Sequence, residues 1–152
     1  MNNDPKLTVY LAGPINDCTD AECRDWRKRM QDEIPDINFL DPMRRDYRTP
    51  GSDQDVEAYT NIVESDKKDI DDSDVILVFH DRPSVGTSME ILYAFDNGKY
   101  ILTVGCTGKS LSPWILYHST KIVDTLDEAI EELKKIASQY SEFEVDNWVE
   151  DL

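Results

Sequence analysis

The chain has 152 residues, of which 39% are hydrophobic, enough for one domain with its own core. Its 32 acidic residues outnumber 16 basic ones and give a formal charge of −16, a field that repels nucleic-acid polymers and anionic membranes. No apolar run approaches bilayer-spanning length, and Met1 to Lys6 lack the basic-then-apolar pattern of a signal peptide, so a cytoplasmic location is the default expectation.

Leu7 to Ala12 reads as a buried first strand, ended by Gly13-Pro14. Cys23, Trp26, Met30 and Ile34 then recur at helical spacing. Asn38 to Leu40 forms a short second strand, closed by Asp41-Pro42. A polar loop, Met43 to Asp55, carries Arg44, Arg45, Asp46, Tyr47, Arg48 and Gly51. The second helix covers about Val56 to Ile70, and the third strand is Val75 to Phe79. The third helix is predicted from Thr87 to about Asn97, with Gly98 as its stop signal. Tyr100 to Val104 is the fourth strand; Ser112-Pro113 caps and starts a short helix; Lys121 to Val123 is the fifth strand. Thr125 and Glu128 form a capping box that opens a last helix to about Tyr140, with Leu126, Ala129, Ile130, Leu133 and Ala137 as its apolar stripe.

Strands alternating with helices along the whole chain predict an α/β fold of the flavodoxin or Rossmann type. It has a five-stranded parallel sheet with helices on both faces. Residues 1–140 form a single domain, and residues 141–152 an acidic tail. Phe143, Trp148 and Val149 in that tail argue that part of it docks, in one reading on a neighbouring subunit. Cys18, Cys23 and Cys106 make no C-x-x-C pair and His80 and His118 lie far apart, so no structural zinc site is expected and the thiols are read as reduced.

Ser84-Val85-Gly86-Thr87-Ser88-Met89-Glu90 follows a strand and opens a helix. That arrangement brings backbone N–H groups and one carboxylate to the carboxyl edge of a sheet, where open α/β folds bind ligands. A carboxylate there can bind a sugar hydroxyl, act as a base or attack a carbon. Thr87 and Glu90 also fit a capping box, which gives Glu90 a purely local role. Tyr59, Ile62, Val63, Asp66 and Ile70 share one helix face, so a carboxylate interrupts a stripe expected to face the core. Asp66 is then either a structural group satisfied by donors or a proton carrier at a cleft. Tyr10, near the end of the first strand, is either core or a hydroxyl reaching that cleft. Ser84 and Ser112 are turn or cap residues, and with a helix N-terminus they can also hold an anion.

Gly105-Cys106-Thr107-Gly108-Lys109-Ser110 matches half of a phosphate-binding loop, but Thr103 stands where the full pattern needs Gly, so a surface turn is the better reading. Arg44, Arg45, Arg48 and Arg82 are basic islands in an acidic chain, suited to surface pairing or to attracting an anionic ligand.

Three segments together carry a family resemblance: Val9-Tyr10-Leu11-Ala12-Gly13-Pro14, then Asp66 ahead of Ile70 and Asp74-Val75-Ile76-Leu77, then Pro83 to Glu90 with Gly98-Lys99. The chain resembles the nucleoside 2-deoxyribosyltransferases and the related 2'-deoxynucleoside 5'-monophosphate N-glycosidases over about Leu7 to Ser119. The resemblance implies that Glu90 is a nucleophile attacking the anomeric carbon, that Tyr10 orients it, and that Asp66 contacts the substrate and helps protonate the leaving base. It implies close backbone approach at Gly13 and Gly86, and a base lying near the Arg44 to Arg48 loop, with Arg45 among the substrate-binding residues. No metal or organic cofactor is implied; the partners are a nucleoside or nucleotide, a free base, and further copies of the chain. The family builds its site at a subunit interface, so a homodimer or higher even-numbered assembly is expected, with Trp114, Tyr117 and Trp148 as apolar anchors. Transferases often carry Asp near the position of Ser84 and a neighbouring subunit's Asn near that of Ser112. Ser at both places looks more like the monophosphate N-glycosidases, whose hydroxyls hold a 5'-phosphate. Deoxyribosyl transfer is the family-level expectation, monophosphate hydrolysis its close alternative, and a non-catalytic nucleotide-binding module the third.

Overall fold

The computed structural model describes residues 6–46, 48, 51–106 and 110–150, and for Ser52 and residues 141–150 the backbone alone. Its elements are β1 (Thr8–Ala12), α1 (Asp20–Glu33), β2 (Asn38–Leu40), α2 (Val56–Asp71), β3 (Val75–Phe79), α3 (Val85–Asp96), β4 (Tyr100–Val104), α4 (Pro113–His118), β5 (Lys121–Val123) and α5 (Leu126–Glu150). Two short 3-10 turns, Pro42–Arg44 and Ser52–Gln54, lie between β2 and α2. The sheet order is β2-β1-β3-β4-β5, with every neighbouring pair parallel. This is the predicted architecture.

The sheet is covered on both faces because its central strands are continuous apolar runs whose side chains alternate. Val9, Leu11, Val75, Leu77, Leu102 and Val104 pack with Trp26 and Met30 of α1 and with Ala129, Ile130 and Leu133 of α5. Tyr10, Ala12, Ile76, Val78 and Ile101 point the other way, onto Ile70 of α2, Ile91 and Ala94 of α3, and Ile115 of α4. That alternation sends Tyr10 to the α3 side. After β1 the chain goes out to β2, then returns across β1 to lay down β3 on its other flank. The crossover leaving β1 runs toward β2 and the one leaving β3 runs the opposite way, toward β4, so the two diverge at the carboxyl ends of β1 and β3 and open a crevice there.

Three expectations are corrected. Helix α3 starts at Val85, two residues before the predicted Thr87, because Ser84 is its N-cap. The stripe on α2 does not face the core along its length: Ile70 is buried, but Tyr59 and Val63 are 43% and 47% exposed. Between its exposed start and Ile70, α2 turns Ile62 and Asp66 to an open cavity and not to the core. Helix α5 continues past Tyr140 to Glu150, so the predicted tail is helical over most of its length. The side chains of Phe143, Trp148 and Val149, and the Thr107 to Lys109 centre of the half phosphate loop, lie outside the described residues. Among the described residues no helix is long and apolar enough to cross a membrane.

Candidate active site

A cavity of about 610 Å³ opens at the carboxyl ends of β1 and β3. Gly13 reaches it from the end of β1, Arg45 from the loop after β2, Asp66 from α2, and Ser84, Gly86 and Glu90 from the start of α3. Tyr10 lies beneath: it is 1% exposed, and its hydroxyl donates to Oε2 of Glu90. Eight sequence positions are candidates for the site. Six line this one cavity and a seventh, Tyr10, is bonded into it.

The local chemistry of α3 decides what Glu90 can do. The Ser84 hydroxyl accepts the N–H of Thr87 at 3.3 Å and the Thr87 hydroxyl at 3.0 Å, so Ser84 fills the capping role. The Thr87–Glu90 capping box therefore does not form. Glu90 falls in the second turn of α3, beyond the orphan N–H groups, and its carboxyl turns across the cavity floor to Tyr10. Burial pushes Glu90 from its ordinary 4.5 to about 8; the Tyr10 bond opposes that rise, and the nearby charge of Asp66 adds to it. Burial also raises Tyr10, and the Glu90 charge raises it further, so the phenol stays protonated and donates.

Asp66 is raised by burial and held back by Arg45, whose Nη2 lies 3.5 Å from Oδ1 of Asp66. The same Nη2 sits 2.6 Å from Oδ2 of Asp69. Asp69 is buried, and it also accepts from Arg44 at 2.8 and 2.9 Å. This Arg44–Asp69–Arg45 clamp is absent from the sequence reading, which singles out Asp66 on this helix and not Asp69. The available signal was two adjacent Arg on a short loop and an acid one turn past Asp66. Arg27 was also missed: it is wholly buried on α1 and donates to backbone carbonyls of Cys23, Leu11 and Gly13.

The two glycines differ in their reasons. A Cβ on Gly13 would lie 2.8 Å from Cζ2 of Trp26 and 3.4 Å from Nη2 of Arg27, so packing excludes a side chain. A Cβ on Gly86 would meet nothing within 4 Å; the space it leaves belongs to the cavity. Ser112 does not share this cavity. It caps α4 by accepting the N–H of Trp114 at 3.2 Å, and it lines a second cavity with Met89, Trp114 and His118. Arg82 is paired with Glu22 and Asp81, away from Glu90.

Two carboxyls and a phenol at the floor of a partly open cavity can cover both halves of a substitution at carbon. One carboxylate attacks while another group carries the leaving group's proton.

The fold is shared with solved structures of low sequence identity. A conserved protein from Enterococcus faecalis V583 matches 86% of this chain and 99% of its own, at 16% identity and a TM-score of 0.63. A 2-deoxyribosyltransferase from Bacillus psychrosaccharolyticus matches 81% of this chain and 90% of its own, at 16% identity and a TM-score of 0.67. The CMP N-glycosidase BcmB from Clostridium botulinum matches 84% of this chain and 98% of its own, at 18% identity and a TM-score of 0.55. No curated protein matches the sequence. The family model described as nucleoside 2-deoxyribosyltransferase like matches residues 6–107, which span β1 to β4 and every residue lining the Glu90 cavity, and the chain belongs to that family.

Proposed function

We propose that the protein cleaves the N-glycosidic bond of a 2'-deoxynucleoside through a covalent deoxyribosyl ester on Glu90 and passes the sugar to a second base. The observation that carries this reading is the Tyr10–Glu90 pair on the floor of a cavity that also holds Asp66. As the C1'–N bond lengthens, positive charge builds on the sugar. An oxygen of Glu90 attacks C1', and the electron pair of the breaking bond leaves with the base, which Asp66 protonates. Burial makes the Glu90 anion costly, so forming a neutral ester removes that cost as the bond forms. Tyr10 offsets enough of the cost for the anion to exist, and fixes which oxygen attacks. In the second half an incoming base displaces the ester at C1' and returns its proton to Asp66. Gly13 and Gly86 admit the sugar close to the backbone, and Arg45 reaches the base from the loop after β2.

A second reading is hydrolysis of a 2'-deoxynucleoside 5'-monophosphate, with water in place of the second base. One observation favours it: Ser84 and Gly86 line the cavity where the first-turn N–H groups of α3 emerge, a natural seat for a phosphate. The Ser84 oxygen already accepts from Thr87, which leaves its O–H to donate. Ser112 joins this reading through assembly of copies into a homodimer or a larger even-numbered oligomer. The exposed Phe95, Trp114 and Tyr117 on α3 and α4 support such an assembly.

The test is incubation with deoxynucleosides and their 5'-monophosphates, with and without added adenine or cytosine, following free base and new nucleoside. Transfer predicts that unphosphorylated deoxynucleoside is preferred and that the second base stimulates product. Hydrolysis predicts the reverse ranking and no stimulation. If neither substrate releases base, both readings fail and a non-catalytic binding module replaces them.

A further inference from the structure

Arg27 is the only Arg or Lys among the described residues whose side chain is wholly buried. Its guanidinium donates to three carbonyl oxygens, those of Leu11 at 3.3 Å, Cys23 at 2.6 Å and Gly13 at 3.1 Å, and lies 4.6 Å from the ring centroid of Trp26. These partners take one N–H from each of its three nitrogens but carry no full negative charge. The nearest carboxylate in an ion pair with it, Asp41, is 3.8 Å away and is itself occupied by the N–H of Met43 and the amide of Gln31. A buried cation with so loose a pairing is costly unless another anion shares the low-dielectric region. Leu11 and Gly13 close β1, and Tyr10 of that strand bonds Glu90 on the opposite face of the sheet. The guanidinium and the Glu90 carboxyl thus flank the end of one strand.

We propose that Arg27 is a positioning residue that serves as the buried counter-charge of Glu90, making a carboxylate anion tenable at the closed end of the cavity. The inference rests on the reading of Glu90 as the nucleophile. The electrostatics agree in both directions. The Arg27 charge lowers Glu90 and Tyr10 against the rise that burial imposes, and Asp41, Tyr10 and Glu90 favour the charged form of Arg27 against its own burial. The other groups facing Glu90 are Tyr10 from β1 and Asp66 and Asp69 from α2, with Arg45 beside both aspartates. Asp66 and Asp69 raise Glu90, so Arg27 is the cation set against them.

The experiment compares wild type with Arg27→Gln and Arg27→Met, each with and without Glu90→Gln. For each pair, the difference in urea unfolding stability is followed from pH 4 to pH 10; the pH at which it levels off is the Glu90 ionisation in the folded protein. Losing the Arg27 charge moves that point upward by about one pH unit. Arg27→Gln keeps an amide donor for the strand-end carbonyls, so a shift shared by both variants belongs to the charge and not to the carbonyl bonds; should Arg27→Met fail to fold, Arg27→Gln carries the comparison. An unmoved levelling point overturns the proposal. The acid limb of kcat/KM on a deoxynucleoside is measured alongside and moves with the levelling point. If the levelling point shifts while Glu90→Gln remains active, the nucleophile reading fails and the charge pairing stands.

Discussion

Glu90→Gln isolates the energetic consequence of placing a carboxyl where this chain places it. Gln is nearly isosteric and its carbonyl still accepts the Tyr10 hydroxyl, so packing is conserved and the ionisable proton alone is lost. In the folded protein Glu90 holds its proton up to about pH 8, whereas in the unfolded chain it loses it near 4.5. Between those values the folded state binds more protons than the unfolded state, so wild-type stability falls as pH rises. The variant has no such dependence. Its stability advantage over wild type therefore grows by about 1.4 kcal/mol for each pH unit above 4.5, and reaches about 3 kcal/mol at neutral pH. That figure is an upper bound, because Glu90 keeps part of its surface on the open cavity and water there screens its charge. Urea unfolding of both proteins at matched pH from 4 to 10 reads the difference directly and cancels the titrating groups that do not interact with Glu90. A difference that stays flat between pH 5 and pH 8 would refute the reasoning and show that Glu90 ionises as an ordinary carboxyl. The same variant is expected to lose base release by several orders of magnitude, since an amide is a poor nucleophile. Because the ionised form attacks, wild-type kcat/KM should rise with pH up to a limit near 8.

Asp66→Asn removes a carboxyl that burial already disfavours as an anion, so stability is unchanged or raised while activity falls sharply; a large stability loss with activity kept per folded molecule would make Asp66 structural. Ser84→Ala removes the N-cap of α3 and costs about 1 kcal/mol in thermal or urea unfolding. If the hydrolase reading holds, it also erodes the preference for a 5'-monophosphate over its nucleoside by about 1–3 kcal/mol in kcat/KM. Gly86→Ala replaces a helical glycine whose Cβ meets no neighbour, so it raises stability by about 0.5–1 kcal/mol while its methyl raises KM; unchanged KM would place the substrate elsewhere. Light scattering should find an even-numbered assembly, and a fully active monomer at assay concentration would exclude it.

The order and type of the elements were legible in the sequence because strands buried on both faces must be continuous apolar runs, and α/β helices must carry one apolar stripe. Thr8–Ala12, Val75–Phe79 and Tyr100–Val104 meet that requirement without ambiguity. Cap chemistry was less decisive: Ser84 and Thr87 both satisfy the local rule for an N-cap, and only the path of the chain leaving β3 selects Ser84. The convergence of Tyr10, Asp66 and Glu90 is a tertiary fact. These residues come from three elements spread over 80 positions, and they meet because the crossovers leaving β1 and β3 diverge where those strands end. Arg27 was illegible for the same reason, and Asp69 had only the adjacent Arg44-Arg45 pair as its signal. A charged residue on a helix reads as solvated until the fold brings strand-end carbonyls over one and two loop arginines against the other. Sequence periodicity records which face of an element is apolar; which charges lose their water is set by what lands on them.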